Sequence, residues 1–433
     1  MMKSLVPNEI RTLIPGAVAV GGCVRDMLLG RESNDVDLCT PLHPEDVLSA
    51  CRTAGLRVIP TGMKHGTVTV MVGGVPYEVT TFRRDVDTDG RHATVEFTGD
   101  LKEDLARRDF TINAMALDAD GNVYDPFGGR EDIERRVIRC VGNPLDRFRE
   151  DLLRVIRAAR FSATLGFDVH PDTRSAMRVV APELNDEIGE RVSIERVVME
   201  MEKAFKESER PSRFLDLLWE IDVFQTIIPE MADAEDLLQD PRFHPEGSVW
   251  QHTIDAVDRA APEHRWNVLF HDIGKCLVAT PTDGDHYTFR GHEDAGLKVI
   301  SEIGDRLNLP RKLIDSIEAT TEMHMGPMSL GEGEPSDRTV RRFQHRAGEH
   351  LATLEGVVRA DTGDRYDPAW DVLWEARQEM MGDVQPVLMG RHLIDRGYSP
   401  GPDLGIILGR AFQYQLDSGE VDIDRLIEVA TDV

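Results

Sequence analysis

Residues 18–40, VAVGGCVRDMLLGRESNDVDLCT, constrain the fold of this chain more than any other part of the sequence. Their pattern predicts a buried strand over residues 17–20, a glycine turn, and a short helix over residues 24–29. Gly21 and Gly22 let the backbone approach a ligand closely, because neither residue carries a Cβ atom. Unpaired amides and the positive dipole end of the helix would face an anion bound there. The stretch therefore predicts a phosphate-binding turn.

Two carboxylates follow on a second predicted strand. Asp35 and Asp37 are two residues apart, so on a strand both side chains project from the same face. Paired carboxylate oxygens beside an anion-binding turn suit a nucleoside triphosphate and its Mg²⁺. A glycine pair alone is common in turns, and Asp-x-Asp alone is common on solvated edges. Their combination, in this order, favours a functional site.

Length and cysteine content indicate a multidomain protein of a reducing compartment. With 433 residues, the chain is long enough for more than one buried core. Its five cysteines are scattered, odd in number and without Cys-x-x-Cys spacing, which argues against disulfides and a zinc ribbon. No apolar run reaches the length of a membrane span, and the first residues lack the apolar block of a signal peptide. We therefore expect a cytoplasmic protein.

The charge balance is strongly acidic. Lys and Arg number 50 against 78 Asp and Glu, which gives a net charge of −28. Long-range attraction of nucleic acid by the whole molecule is therefore not expected. Residues 130–160 are the exception, with nine arginines and six acids, 9 − 6 = +3. A nucleic-acid partner would need a local basic surface such as this segment.

The segment after the Asp pair alternates between helix and strand patterns. Residues 44–55 predict a helix, and alternating residues on either side of Gly73–Gly74 predict a β-hairpin. Glu78 lies on the second strand of this hairpin, facing away from its apolar neighbours. It is either a solvent-exposed acid or a third carboxylate beside the Asp pair, and the sequence leaves both open. Residues 83–100 are polar and lack periodicity, which predicts a flexible loop.

The fold class follows from how these patterns are distributed. Asp109 can cap a helix that begins near Phe110. From Ile133 onward strand patterns largely stop and helical patterns take over. We therefore predict an α+β protein, with a small mixed α/β head followed by a long, mostly α-helical body.

A predicted helix over residues 150–161, EDLLRVIRAARF, carries charged residues on one side. Asp151, Arg154 and Arg157 follow one another at i, i+3 steps. They form either an exposed ion-paired face or a base-reading edge. A carboxylate accepts a hydrogen bond from an exocyclic amine, and a guanidinium donates to a ring nitrogen or carbonyl. One Asp–Arg pair could therefore bind cytosine and adenine while rejecting uracil and guanine.

A second group of residues indicates metal chemistry. Adjacent His and Asp residues in an apolar helix, with further histidines around them and a late Asp, suit a divalent transition metal. Most single histidines are surface or core residues, so the combination carries the signal. The residues are His252, His271, Asp272, His292, His324 and Asp361.

With these residues in view, the chain resembles the class II tRNA nucleotidyltransferases (CCA-adding enzymes), which are sisters of bacterial poly(A) polymerases. Five segments carry the resemblance, and an HD phosphohydrolase domain of the kind found in some bacterial members follows them. The segments are GGCVRDMLLG…DVDLCT, RRDFTINAMA (107–116), DPFGGREDIERRVIR (125–139), EDLLRVIRAARF (150–161) and RVSIERVVMEMEK (191–203).

The resemblance implies a division into four parts. These are a catalytic nucleotidyltransferase head (1–135), a neck with the nucleotide-selecting helix and RNA-binding helices (136–228), an HD domain (229–365), and a C-terminal helical body or tail (366–433). Residues 83–100 resemble the family's flexible loop, which takes part in the switch from C to A.

The resemblance also implies roles for individual residues. In the head, Asp35 and Asp37 would hold two Mg²⁺ ions, with Glu78 as the candidate third catalytic carboxylate. Nucleotide-binding residues would be Gly21, Gly22 and Arg25 for the triphosphate, Arg108, Asp109 and Asn113 for ribose and phosphate, Asp151 and Arg154 for the base, and Arg157 near the phosphates. His252, His271, Asp272, His292 and Asp361, with His324 as an additional candidate, would hold a transition metal such as Ni²⁺, Mn²⁺ or Co²⁺.

The expected function is template-independent addition of CCA to the 3′ end of tRNA, with CTP and ATP as substrates and pyrophosphate as product. The tRNA acceptor stem would be recognised by shape and backbone along the helical body. The HD domain would hydrolyse phosphomonoesters or cyclic phosphates, for example at damaged RNA ends. The alternatives are poly(A) addition, A-only or CC-only addition, and an HD phosphohydrolase whose head only binds RNA. No membrane partner is expected, and the sequence is compatible with a monomer or a homodimer.

Overall fold

The computed structural model describes residues 5–432 except 34, 61, 89–92, 331–334 and 375–384. It consists of two compact units, residues 1–229 and 230–433. The first begins with a mixed β-sheet and ends in helices, and the second is mostly helical. The predicted α+β class, with a small α/β head before a helical body, is confirmed.

A seven-stranded mixed sheet forms the centre of the head, in the order β3-β4-β5-β2-β1-β8-β9. β2 and β5 are parallel neighbours, whereas the other adjacent pairs are antiparallel. The elements are α1 Asn8–Leu13, β1 Val18–Val20, α2 Gly22–Leu28, β2 Asp37–Thr40, α3 Pro44–Thr53, β3 Arg57–Ile59, β4 Thr67–Val72, β5 Val75–Thr81, β6 Arg83–Thr88, β7 Ala93–Phe97, α4 Leu101–Ala106, β8 Ala116–Leu117 and β9 Val123–Tyr124.

The head's main core joins α1–α3 to the sheet. Val24 of α2 and Val47 of α3 are fully or almost fully buried in one apolar cluster with Leu38 and Val68 of the sheet. β4 alternates between half-buried and buried residues, as a strand with one face on the core requires. The helix predicted over 44–55 is α3, and the predicted hairpin is the β4–β5 pair.

Two predictions for the head were wrong. Residues 83–100 are not wholly a loop, because β6 and β7 pair with each other as an antiparallel hairpin, although residues 89–92 lie outside the described chain. Backbone pairing stabilises this ribbon despite its polar sequence. The helix predicted after Asp109 is only a 3₁₀ turn, Thr111–Asn113, because the next residues enter the sheet as β8 beside β1.

Helices form the rest of the first unit. Their bounds, with two short strands, are α5 Gly129–Arg135, β10 Val137–Ile138, α6 Pro144–Glu150, α7 Leu153–Leu165, β11 Asp168–Val169, α8 Pro171–Glu187, α9 Ile194–Glu207, α10 Ser212–Glu220 and α11 Val223–Ile227. The single helix predicted over 150–161 is wrong, because α6 ends at Glu150 and Asp151 is extended, with φ −153° and ψ 103°. The Asp151 carboxylate accepts from the Leu153 amide at 3.2 Å, which favours a new helix start there.

The second unit is built around a helical core in which α12, α13, α16 and α18 contact one another. None of the described helices is long and apolar enough to cross a membrane. The elements are α12 Val249–Arg259, α13 Arg265–Phe270, α14 Lys275–Val278, β12 Thr280–Pro281, β13 Tyr287–Thr288, α15 His292–Arg306, α16 Arg311–Met323, α17 Asp337–Ala347, α18 Leu351–Thr362, α19 Gly390–Ile394, α20 Pro402–Ser418 and α21 Ile423–Thr431.

Candidate active sites in the two units

The predicted glycine turn joins β1 to α2. Gly21 has φ 80°, a conformation that disfavours side chains, and its amide donates to the Met115 carbonyl at 3.2 Å. A Cβ atom at Gly21 would lie 2.6 Å from Nη1 of Arg108, so the guanidinium lies directly over the turn. A Cβ at Gly22 would lie 3.6 Å from Nη2 of Arg25. Two guanidiniums therefore flank the turn, as binding of a phosphate requires.

Carboxylates meet on the neighbouring strands. Asp37 begins β2 and is the register partner of Glu78 on the parallel strand β5, so the two side chains project from the same face of the sheet. Asp35 precedes the strand instead of lying on it, which corrects the predicted position of this residue. Burial raises the pKa of Asp37, and the Asp35 charge adds to that effect while Arg108 opposes it.

These carboxylates fit a cation site. Within the described residues, the side chains of Asp35, Asp37 and Glu78 have no ion-pair or hydrogen-bond partner. A bound cation would stabilise these neighbouring negative charges, and oxygen ligands are those that Mg²⁺ prefers.

Asp109 and Asn113 are held in a hydrogen-bonded chain beside the turn. Asp109 accepts from Asn113 Nδ2 at 3.1 Å and from Arg157 Nη2 at 2.7 Å. Asn113 in turn accepts from Arg25 Nη1 at 2.8 Å. Burial would raise the pKa of Asp109, but Arg157 and the hydrogen bonds outweigh it and lower the pKa to about 2. The side chains of Arg25, Asn113, Asp109 and Arg157 are thus joined in one chain of hydrogen bonds.

The predicted base-reading residues lie at the break between α6 and α7. Asp151 precedes α7 and does not share a helical face with Arg154 and Arg157, which corrects the predicted i, i+3 arrangement. Its Oδ2 accepts from Arg196 Nη2 of α9 at 2.9 Å. Arg154 donates to Glu150 Oε2 at 2.6 Å. Both side chains therefore have protein partners in this conformation.

The arginine-rich segment 130–160 is largely neutralised. Seven of its nine arginines form ion pairs. Arg149 pairs with Glu183 at 2.7 Å, and the buried Arg160 pairs with Glu200. Most of the arginines in this candidate basic segment therefore have carboxylate partners within the protein.

Six predicted metal ligands come together in the second unit. They lie on or directly beside α12, α13, α15, α16 and α18 and are buried. The Nε2 atoms of His252 and His271 lie 3.0 and 3.8 Å from Asp361 Oδ1. The Nε2 atoms of His292 and His324 lie 3.2 and 3.4 Å from Asp272 Oδ1. The other Asp272 oxygen is 3.2 Å from His271 Nε2, so this carboxylate joins two groups of ligands.

The ring orientations leave Nε2 free for a metal. Nδ1 of His271, His292 and His324 lies 2.7, 3.0 and 2.8 Å from a backbone carbonyl, so Nδ1 carries the proton and donates. Among the described groups, the buried Nε2 atoms of His252 and His271 and Oδ1 of Asp272 have no hydrogen-bond partner. Buried polar atoms are normally satisfied, so this donor set fits a divalent transition metal.

Three family models match successive parts of the chain. The "Poly A polymerase head domain" matches residues 17–139, the "Probable RNA and SrmB-binding site of polymerase A" matches residues 166–235, and the HD domain matches residues 260–361.

Curated relatives extend the match. The CCA-adding enzyme of Geobacillus stearothermophilus is 44% identical over 60% of this chain, and the match spans only 59% of that enzyme's length. The CCA-adding enzyme of Levilactobacillus brevis is 31% identical over 96% of this chain and 94% of that enzyme. The A-adding tRNA nucleotidyltransferase of Deinococcus radiodurans is 31% identical over 94% of this chain and 93% of that enzyme. The chain belongs to the tRNA nucleotidyltransferase family.

Solved structures of this family have the same fold. A CCA-adding enzyme of Bacillus stearothermophilus in complex with CTP is 29% identical and superposes with a TM-score of 0.69, covering 97% of this chain and 94% of that chain. A Thermotoga maritima CCA-adding enzyme complexed with tRNA, 20% identical, shares the fold with a TM-score of 0.61 over 96% of this chain and 90% of that chain.

Sequence reasoning missed several residues that contact the candidate site residues. The fully buried Asp104 contacts Arg107 and Arg108 at 3.0 and 3.6 Å, and its spacing of three and four residues from them on a helix was a usable signal. In the second unit, Glu246 accepts from His252 Nδ1 at 2.6 Å, and Lys275 lies 2.6 Å from Asp272. The contacts of Glu246 depend on loop geometry, which no sequence pattern indicated.

Proposed function

We propose that this chain adds C, C and A to the 3′ end of tRNA, with CTP and ATP as substrates and release of pyrophosphate. The observation that carries the proposal is the pairing of Asp37 with Glu78 beside a glycine turn flanked by Arg25 and Arg108. Triphosphate and divalent cation would be bound side by side there. Membership of the family supports tRNA as the substrate.

Roles in the head follow from the contacts. Asp35 and Asp37 would hold two Mg²⁺ ions, with Glu78 as a third carboxylate. Such ions supply activation of the RNA 3′-hydroxyl and stabilisation of the leaving pyrophosphate. Arg25 and Arg108, beside Gly21 and Gly22, would bind the triphosphate oxygens and fix the α-phosphate for attack.

Ribose and base contacts would come from the adjoining residues. Asp109 and Asn113 are fixed by their mutual hydrogen bond, with Arg157 holding the carboxylate, so they can orient the ribose. Asp151 and Arg154 would read the Watson–Crick edge of cytosine or adenine once their bonds to Arg196 and Glu150 are exchanged for bonds to the base.

A-only addition is the second candidate, because the Deinococcus A-adding relative is as similar to this chain as the Levilactobacillus CCA-adding relative. Two tRNA substrates, one lacking CCA and one ending in CC, are incubated with each labelled triphosphate. Complete CCA addition to the first substrate supports the proposal. Addition of a single A only to the second substrate would establish A-only activity, and long runs of A would establish poly(A) addition.

For the second unit we propose a metal-dependent phosphohydrolase of phosphate esters at RNA ends. His252, His271, Asp272, His292, His324 and Asp361 would hold a transition metal such as Mn²⁺, Ni²⁺ or Co²⁺. The bound metal supplies polarisation of the phosphoryl oxygens and acidification of the attacking water. Metal-stripped protein should release no phosphate from esters until Mn²⁺, Ni²⁺ or Co²⁺ is added back. Equal activity with and without metal would refute the assignment.

The functional division we propose is head 1–135, neck 136–228, HD domain 229–365 and C-terminal body 366–433. The three family models, at 17–139, 166–235 and 260–361, support its order. We also propose that the protein acts in the cytoplasm, because all five cysteines are free thiols.

A further inference from the structure

Asp104 is a buried carboxylate that the proposed roles in the head leave unused. It lies on α4 and has no exposed surface, although acidic residues are seldom fully buried unless they are paired. Removing a carboxylate from water costs free energy, and this cost is offset only where charged or polar partners surround it. The partners of Asp104 therefore indicate what this carboxylate does.

The two oxygens of Asp104 have different partners. Oδ1 accepts from Arg107 Nε at 3.0 Å and from the backbone amide of Arg83 at 3.3 Å. Oδ2 accepts from the Cys39 thiol at 3.7 Å and lies 3.6 Å from Nη2 of Arg108. Arg107 alone would balance the charge of the carboxylate, so the second oxygen is available to hold Arg108.

The guanidinium of Arg108 keeps most of its donors available. Its Nε is buried and has no hydrogen-bond partner among the described groups, and its Nη2 is 3.9 Å from Cys39 Sγ. Nη1 lies over the glycine turn, 2.6 Å from the place where a Cβ of Gly21 would be. Within the described chain, Arg108 forms its ion pair with Asp104. A guanidinium with unused donors beside a glycine turn is suited to a phosphate.

Asp104 also connects Arg108 to the strand that carries the proposed metal ligand Asp37. Cys39 lies two residues after Asp37 on β2. Burial raises the pKa of the Cys39 thiol to about 12, so the thiol keeps its proton and donates it to Asp104. The Arg83 amide, at the start of β6, adds a bond to the backbone. One carboxylate thus fixes the guanidinium relative to β2.

We propose that Asp104 is a positioning residue for nucleotidyl transfer, which through Arg108 sets where the triphosphate lies relative to Asp37. The inference rests on the nucleotidyl transfer proposed for the head, and Asp104 itself does not touch the nucleotide. A triphosphate at the glycine turn meets Nη1 of Arg108, while Asp104 holds the guanidinium at Nη2. A guanidinium that was not held would bind the phosphates more weakly, because the cost of ordering it would fall on the binding step.

The test measures binding of CTP and of inorganic tripolyphosphate, each with Mg²⁺, to the full chain by calorimetry. Asp104→Asn keeps the shape of the side chain and an acceptor for the Arg83 amide, but removes the charge that holds Arg108. We expect its Kd to rise about 10-fold for both ligands, because both bind through their phosphates. Glu103→Gln is the matched control, since it makes the same acid-to-amide change on α4 at a residue bonded to Thr98, and it should keep the wild-type Kd.

A double-mutant cycle separates positioning from a general effect on stability. If Asp104 acts through Arg108, adding Asp104→Asn to Arg108→Ala should raise Kd by less than about 2-fold further. Losses that multiply would show that Asp104 acts independently of Arg108, and they would overturn the inference. If Asp104→Asn does not fold, Asp104→Glu, which keeps the charge but moves it by one methylene, should show the same loss in its place.

Transfer of nucleotides to tRNA, measured on the same proteins, distinguishes a failure of this inference from a failure of the proposed function. An unchanged Kd in Asp104→Asn, with tRNA still extended by wild type, overturns the positioning role and leaves nucleotidyl transfer standing. If the cycle shows coupling but tRNA is not extended, the positioning of the triphosphate is supported and the proposed function is refuted. Wild-type protein that binds neither ligand refutes both.

Discussion

At the scale of single residues, His252 differs from the other histidines of the cluster in what holds its ring. The other three donate from Nδ1 to backbone carbonyls, whereas His252 donates to the carboxylate of Glu246. The same oxygen of Glu246 is 3.0 Å from Nδ1 of His244. A carboxylate partner fixes the tautomer of a metal-binding imidazole and increases its basicity more than a carbonyl does.

Glu246→Gln should therefore weaken Mn²⁺ binding about 10- to 100-fold. Calorimetric titration of metal-stripped protein gives the affinity. His244→Gln is the matched control, because His244 contacts the same carboxylate and is not among the predicted ligands. If Glu246→Gln changes affinity less than 2-fold, or if both variants lose it equally, Glu246 does not act through His252.

Asp109 makes a pH-dependent contribution to stability. Its pKa of about 2 lies below the usual 3.8, so the folded state is stabilised above pH 3.8, and this stabilisation is lost as the pH falls toward 2. The difference of roughly 1.8 pKa units corresponds to about 2 kcal/mol. We expect the free energy of unfolding in urea to differ between wild type and Asp109→Asn by about 1.6 kcal/mol more at pH 5 than at pH 2.5, where part of the stabilisation remains. A difference independent of pH would contradict the Asp109–Arg157 pairing.

At the scale of secondary-structure elements, the break between α6 and α7 decides how Asp151 is presented. The residue ends one helix, caps the next through the Leu153 amide and pairs with Arg196 of α9. Arg154 lies within α7 and bonds to the last residue of α6. The two predicted base-reading side chains are thus positioned by two helices and the turn between them.

Asp151→Ala should relax base choice, so that incorporation of UTP or GTP rises relative to CTP and ATP. Single-nucleotide incorporation on tRNA lacking CCA measures this ratio. Asp146→Ala, which removes an exposed acid from α6, provides a control that should retain the wild-type preference. An unchanged preference in Asp151→Ala would refute the role of Asp151 in base recognition.

The elements that the sequence predicted correctly were those with strong local patterns. Helix α3 and the β4–β5 hairpin have clear periodicity and a glycine turn. The predicted helix after Asp109 became a 3₁₀ turn because residues 116–117 pair with β1, a contact distant along the chain. The break at Asp151 depends on a side-chain cap that competes with a helical pattern. Local patterns contain neither of these interactions.

The candidate sites show the same contrast between local sequence patterns, which were recognised, and contacts between distant residues, which were not. The sequence indicated the residues of the histidine cluster, with His324 as an additional candidate, because an adjacent His–Asp pair in an apolar helix is accompanied by further histidines and a late Asp. It could not indicate Glu246, whose contact with His252 is made from the loop before α12. It also suggested a basic surface over 130–160, because the acids that neutralise it include distant residues such as Glu183 and Glu200.

At the scale of the whole molecule, the two candidate centres lie in separate compact units, residues 1–229 and 230–433. The proposed head centre contains Asp35 and Asp37, and the proposed HD centre contains Asp361. Each centre is built from residues of its own unit. A substitution in one centre should therefore abolish the activity of that centre and leave the other activity unchanged.

The double variant Asp35→Ala/Asp37→Ala should lower nucleotide transfer to tRNA at least about 1,000-fold, because the divalent ions would lose their ligands. Its metal-dependent ester hydrolysis should be unchanged. Asp361→Asn should show the reverse pattern. Both activities are measured on the same preparations, and transfer that survives the double substitution would disprove the metal assignment in the head.

The internal pairing of arginines 130–160 also affects how RNA binding would respond to salt. When a paired arginine moves to an RNA phosphate, the carboxylate that it leaves becomes free to attract a cation from solution. The contact then releases fewer ions to the solvent than one made by an unpaired arginine, and the logarithm of affinity falls less steeply with the logarithm of salt concentration. If this protein, with its net charge of −28, binds RNA through these arginines, its affinity should change less with ionic strength than that of a protein whose arginines are unpaired.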